Sequence, residues 1–247
     1  MQPTNPQETR EAITGSKMPE HTVKAFDADL ANLARMIAEL QERVEKELKD
    51  AVEALISNDG KHVKAVLDLD ESNAAMSRDI EANVVLLIAR RQPVAYDLRF
   101  IVAIWETAIE LSRVSGIARS IVKRVIALGD VGPMPQLAWG LRRITRAALR
   151  RLREVVDSLV LADAAKAEGL SAADHGIDLI YGSLCRDLLT YMMADPNASP
   201  TVVQLLFCAK SIQSIGDNVT NIADAVHYLV QGRRISAGEE VRQSDRA

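Results

Sequence analysis

Cysteine is scarce in this chain: among 247 residues only Cys185 and Cys208 are cysteines, both inside apolar stretches and neither in a CxxC pair. That excludes a disulfide framework and a thiolate zinc site, and makes a reducing cytosol the expected compartment. Aromatic residues supply only 4% of the sequence while 48% is hydrophobic, so the core must be aliphatic, a balance that favours helices over a β-rich fold. Charge of one sign is lacking too. The formal net charge of −4 gives no overall reason to expect nucleic acid, because backbone binders carry a clear basic excess.

No apolar run approaches the roughly 20 residues of a membrane span, and charges interrupt every candidate. Residues 1–19 have no apolar h-region, so they read as a polar, disordered tail and not as a signal peptide. Also missing are the glycine-rich phosphate loop, the dinucleotide-binding glycine turn, the nucleophile elbow and the HExxH zinc motif. The four histidines, His21, His62, His175 and His227, are scattered. Catalysis by the common routes has little support, and a metal-dependent phosphoesterase stands only as an alternative.

What is present is helical periodicity. Phe26, Leu30, Leu33, Ile37, Leu40, Val44, Leu48, Val52 and Leu55 alternate at three and four residues, the spacing of a long helix with one buried stripe. Asn58-Asp59-Gly60 ends it. A second helix is expected from Lys61 to Arg91, where Gln92-Pro93 interrupts, and a third from there to Leu128. The segment from Gly129 to Pro135 holds two glycines and two prolines and reads as a linker. Three further helices are expected at about 136–162, 171–194 and 199–231, with a polar tail from 233 to 247.

The third and sixth of these helices echo one another. Ala108, Leu111, Val114, Ala118, Ile121 and Val125 fall in register with Ala209, Ile212, Ile215, Val219, Ile222 and Val226 at a constant offset of 101. The expected fold is therefore all-α, two tandem three-helix bundles from a duplicated unit, residues 20–130 and 135–232.

Beside the apolar stripe of the last helix lies a polar one, Gln213, Asp217, Asn221 and Asp224, spaced by four, four and three. The fifth helix carries Asp174 and Asp178, also four apart. Oxygen donors gathered without thiols suit Mg²⁺, Ca²⁺, Mn²⁺ or iron better than Zn²⁺. The same spacing equally describes a solvated helix face. The fourth helix has no acid between Leu141 and Arg153, and Arg142, Arg146, Arg150 and Arg153 share one face. Such a row suits an acidic partner or lipid head groups, or is simply a solvated face partly paired with neighbouring acids.

Three short segments resemble one family in the right order. Ala209-Lys210-Ser211-Ile212-Gln213-Ser214-Ile215-Gly216-Asp217-Asn218-Val219-Thr220-Asn221-Ile222-Ala223-Asp224 resembles the PhoU signature. Arg91-Gln92-Pro93-Val94-Ala95-Tyr96-Asp97-Leu98-Arg99 is similar to its RQP-x-A-x-DLR turn, and Leu189-Thr190-Tyr191-Met192-Met193 to its LTYMM stretch. The resemblance spans about 20–232 and implies two three-helix bundles with surface metal clusters on E(D)-x-x-x-D motifs in some relatives. It also implies a cytoplasmic negative regulator of phosphate uptake and of the phosphate-starvation response. Its implied partners are the ATPase subunit of the phosphate ABC transporter and the sensor histidine kinase, with the membrane reached through them and a homodimer plausible; a metal-free helical scaffold is the competing binding-protein reading.

The chain departs from the family pattern. Ser112, Gly116 and Arg119 stand at the first-repeat motif positions, so the resemblance implies that site is lost, and Arg119 is expected to pair with Asp70 or Glu81 on the second helix. In the second repeat Gln213 replaces the motif Glu, so Asp174, Asp178, Asp217, Asn221 and Asp224 imply a weakened metal site.

Overall fold

The computed structural model describes residues 20–57, 60–129, 135–172 and 175–234, so the expected N-terminal tail, most of the linker, and residues 235–247 of the expected C-terminal tail lie outside the described residues. Every element there is helical: α1 (Glu20–Ser57), α2 (Gly60–Arg91), α3 (Ala95–Leu128), α4 (Pro135–Val160), α5 (Ala164–Ala172), α6 (His175–Ala194), a 3₁₀ turn (Pro196–Ala198), α7 (Ser199–Gln213) and α8 (Ile215–Gln231).

The three-four stripe of α1 becomes the core of the first bundle, with Leu33, Ile37, Leu40, Val44, Leu48 and Val52 all buried. Short connections fold α2 back on α1 and α3 back on both, and the three helices pack mutually. The α2–α3 turn is the RQP segment. Gln92 adopts φ 48° and Ala95 φ 48°, and a residue with a Cβ pays roughly 1–2 kcal/mol for this left-handed region. Pro93 cannot continue a helix, and Val94, extended at φ −124° and ψ 158°, restarts the chain into α3. Gly129, φ 66°, closes α3, its N–H bonded to the Ile126 carbonyl at 3.3 Å.

The second unit departs from expectation in two places. The fifth helix, expected from Ser171, starts earlier, with α5 running over Ala164–Ala172 and α6 over His175–Ala194. Asp163 starts α5 as an N-cap, its Oδ1 accepting from the Lys166 backbone N–H at 3.0 Å. The last helix, expected as one rod, breaks at Ser214, whose ψ of −5° tilts the next turn while its Oγ donates to the Ser211 carbonyl at 2.9 Å. Here α6 packs on α7, α5 packs on α8, and α4 touches all four. At Gly140 of α4 a Cβ would come within 2.6 Å of Leu184 Cδ1, so glycine there permits the close approach of α6.

The two units share one core. α8 packs along α3, and α4 packs along α1. All twelve positions related by the offset of 101, from Ala108 to Val125 and from Ala209 to Val226, are buried. Fully burying a Leu, Ile or Val contributes about 1.5–3 kcal/mol each, and here it is spent on holding the halves together.

Leu111→Ala, at a side chain with no exposure, is expected to cost about 3 kcal/mol. Urea unfolding followed by circular dichroism is expected to give one transition, moved to lower denaturant as a whole. Two separated transitions would contradict a shared core.

Candidate functional site

The polar stripe of the second repeat lies at the α7–α8 break and the start of α6. Asp178, in the first turn of α6, accepts at 2.8 Å from Gln213 Nε2 at the end of α7. The other end of that amide, Oε1, accepts from Lys210 Nζ at 2.6 Å. Gln213 therefore links a carboxylate to an ammonium. Asp217 and Asn221 follow on α8 as exposed side chains, while Asp174 and the side chain of His175 lie outside the described residues. Asp224 is half-buried and bonded by Arg234 Nη1 at 3.1 Å.

Arg234 is a residue the sequence reading missed. It falls in a segment expected to be a frayed tail, yet the chain turns back after Gly232, which caps α8 at φ 72°. His227 Nδ1 then meets the Arg233 carbonyl at 2.8 Å. The Arg234 guanidinium lies 5.2 Å from the Tyr228 ring centroid, meets Glu106 of α3 at 2.5 Å, and bonds Asp224 of α8. These two carboxylates raise its pKa, Glu106 first.

The first repeat shows the same substitution of charge. Arg119 Nη1 reaches Asp70 Oδ2 at 3.2 Å, the pairing expected from sequence, while Ser112 Oγ donates to Ser77 Oγ at 2.8 Å. A guanidinium thus faces the acid of α2. Among the described residues no three His, Cys, Asp or Glu side chains gather in a way that could hold a metal ion. The described donors of the second repeat are engaged by Gln213 and Arg234 or point to solvent, so they do not form a cation cage in this arrangement. Cys208 adds no soft ligand: it is buried, and burial pushes its thiol up to about 12.

The arginine row of α4 divides in two. Arg142 makes a bidentate pair with Glu53 of α1, Nε to Oε1 and Nη2 to Oε2, both at 2.7 Å. Those bonds hold the Glu53 carboxyl below the ordinary range. Arg153 pairs with Glu45, also on α1. Burial pushes the Glu45 carboxyl up, but hydrogen bonds from Lys49 and Arg153 outweigh it and leave it lowered. Arg151 turns inward, buried, and donates to the Leu170 carbonyl. Arg146 and Arg150 face solvent. Beside them Trp139 is 67% exposed, with the Arg143 guanidinium 5.1 Å from its ring centroid. Ala138, Trp139, Arg142, Arg143 and Arg146 line a shallow groove of about 400 Å³. Half of the expected basic face straps α4 to α1, and half, Arg146 and Arg150, is exposed.

Both halves of the duplicated fold match one known domain. A profile of the PhoU domain matches residues 37–125 and again 141–226. The chain belongs to the PhoU family. It is 39% identical over 212 residues to the phosphate-specific transport system accessory protein PhoU homolog of Rhizobium meliloti, covering 86% of this chain and 90% of that one. To the PhoU accessory protein of Escherichia coli it is 32% identical over 224 residues, 90% of this chain and 92% of that one. The crystal structure of PhoU from Pseudomonas aeruginosa superimposes with a TM-score of 0.75 at 34% identity, covering 84% of this chain and 99% of that one. The phosphate transport system regulatory protein PhoU from Streptococcus pneumoniae superimposes with a TM-score of 0.73 at 25% identity, covering 85% and 99%. No described helix is long and apolar enough to cross a membrane. The segment that resembles the PhoU signature spans the α7–α8 break, with Ser214 at the kink and Gln213 and Asp217 on either side.

Proposed function

We propose that this PhoU-family chain is a negative regulator of phosphate uptake and of the phosphate-starvation two-component response. It works as a helical adaptor, on the cytoplasmic side, between the phosphate ABC transporter's ATPase subunit and the sensor histidine kinase. The observation that carries the reading is the match of both repeats, over most of the chain, to proteins named as accessory to phosphate-specific transport. The fold agrees with a binding role: long helices present broad faces, and the polar stripes are engaged by Gln213, Arg119 and Arg234. We assign the exposed part of α4, with Trp139, Arg143, Arg146 and Arg150, as the face that meets an acidic partner surface. Exposed indoles and guanidiniums are the side chains that most often anchor interfaces.

A metal ion is a separable component of this proposal. It would use the second-repeat donors Asp174, Asp178, Asp217, Asn221 and Asp224, and binding requires Arg234 and Gln213 to release Asp224 and Asp178. Elemental analysis of protein purified without chelator reads this directly. One ion per chain, lost in Asp217→Ala/Asp224→Ala, supports a metal-linked surface; no metal in either protein leaves a metal-free adaptor.

The adaptor reading is tested by calorimetry of the chain against the purified ATPase subunit and against the kinase's cytoplasmic part. Wild-type protein is expected to bind at least one of them, more weakly as salt rises. Arg146→Glu/Arg150→Glu is expected to lose about tenfold in affinity or more with its helical content unchanged. Failure of the wild type to bind either partner contradicts the adaptor role. Equal binding by the variant moves the interface away from α4.

A further inference from the structure

Inside the first bundle a carboxyl group sits where an aliphatic side chain would be expected. Glu47 falls between Val44 and Leu48 on the buried stripe of α1, and its exposure is 0%. An ionised carboxylate in such a place costs several kcal/mol unless it is fully paired.

Its pairing is lopsided. From α2, Asn73 Nδ2 donates to Glu47 Oε2 at 2.8 Å; from α3, Ser115 Oγ donates to the same oxygen at 2.6 Å. Oε1 has no partner, and neither has the Asn73 side-chain carbonyl, Oδ1, on a residue only 2% exposed. Two buried acceptors are left over on one hydrogen-bonded pair. One donor is missing.

Among the described residues no cation is bonded to Oε1. Arg119 of α3 is bonded to Asp70 of α2, and Asp70 itself is a like charge to Glu47. On α1's other side, α4 contributes Arg142 and Arg153, which are bonded to Glu53 and Glu45. Lys49 of α1 is bonded to Glu45 as well.

We propose that Glu47 is carried as a neutral carboxylic acid whose Oε1–H donates to Asn73 Oδ1, making the first bundle a proton-responsive element of this PhoU protein. The acid then closes a two-bond ring with the amide, Nδ2–H to Oε2 and Oε1–H to Oδ1, and all four polar atoms are satisfied. Ionisation breaks one bond of the ring and leaves two oxygens facing each other in a dry core. Burial is also the largest influence on this group, holding its carboxyl up at about 7 against the lowering effect of Ser115 and Asn73.

The sign follows from proton linkage. The folded state keeps a proton that the unfolded chain releases near the ordinary carboxylate value of 4.5, so this site's stabilisation is complete below that pH and is lost as pH rises through about 7. The same helix carries Glu45 and Glu53, which hold α4, so loosening α1 reaches the exposed arginines of α4.

The test is the melting temperature of wild type and Glu47→Gln at intervals from about pH 5.5 to about pH 8. Glutamine keeps a donor for Asn73 Oδ1 and an acceptor for Ser115 and cannot ionise. Wild type is expected to fall relative to the variant by about 3 °C or more across that range. Parallel curves overturn the proposal. If the variant does not fold, the ¹³C shift of the Glu47 carboxyl in wild type decides: a midpoint near 7 supports the neutral acid, and one at the ordinary carboxylate value overturns it. A rise in wild-type melting temperature at the alkaline end on adding Na⁺ or Mg²⁺, absent in the variant, makes the missing donor a cation and also overturns it.

Discussion

The constraint on which the rest of this structure depends is the burial of α3 against α8 and of α1 against α4. Each three-helix unit has a stripe of small and branched aliphatics on its long outer helices, and each stripe is wider than its own unit can cover. Covering it with the other unit creates one continuous core in which Leu111, Ile121, Ile212 and Ile222 are all fully buried. Polar groups then fix the register of this seam. Asn218 Nδ2 donates to Glu110 Oε2 at 2.8 Å between two buried residues, and Arg99 Nε donates to the Leu229 carbonyl at 2.9 Å. Because buried polar groups cost free energy when unpaired, a slip along the seam would lose both. The two units therefore share one core in a fixed register.

A second theme is the placing of protein cations against acids along the polar stripes. Arg119 meets Asp70 in one repeat and Arg234 meets Asp224 in the other, the latter also reaching across to Glu106 of the first unit. These pairs are half-exposed and worth little individually. Their consequence is chemical: Asp70 and Asp224 each already carry a protein cation. The Gln213 amide acts on Asp178 in the same way, without a formal charge.

Much of the fold was legible because helix periodicity is a direct reading of burial. The α1 stripe, the RQP turn and the offset of 101 were all visible in the residues themselves. The Ser214 break was not, because Ile212 and Ile215 keep the three-residue spacing across it and serine is no strong breaker. The early start of α5 was hidden because its signal is one side chain, Asp163, capping the Lys166 N–H. Long-range polar partners were the least legible. Arg234 meets Glu106 from 128 residues away, and the partners of Glu47 on α2 and α3 lie 26 and 68 residues along the chain. The basic face of α4 was legible as a row, but its division between Glu53, Glu45 and solvent depends on what α1 presents.

The central claim, that this chain represses the phosphate-starvation response as a regulator and not as a catalyst, is tested most directly in cells. A phosphate-starvation reporter would be measured at ample phosphate in a strain lacking its own PhoU protein, with this chain supplied. The account predicts that the reporter is switched off when the chain is present and responds normally when phosphate is withdrawn. A reporter that stays fully on, with the chain folded and abundant in the same cells, would contradict it.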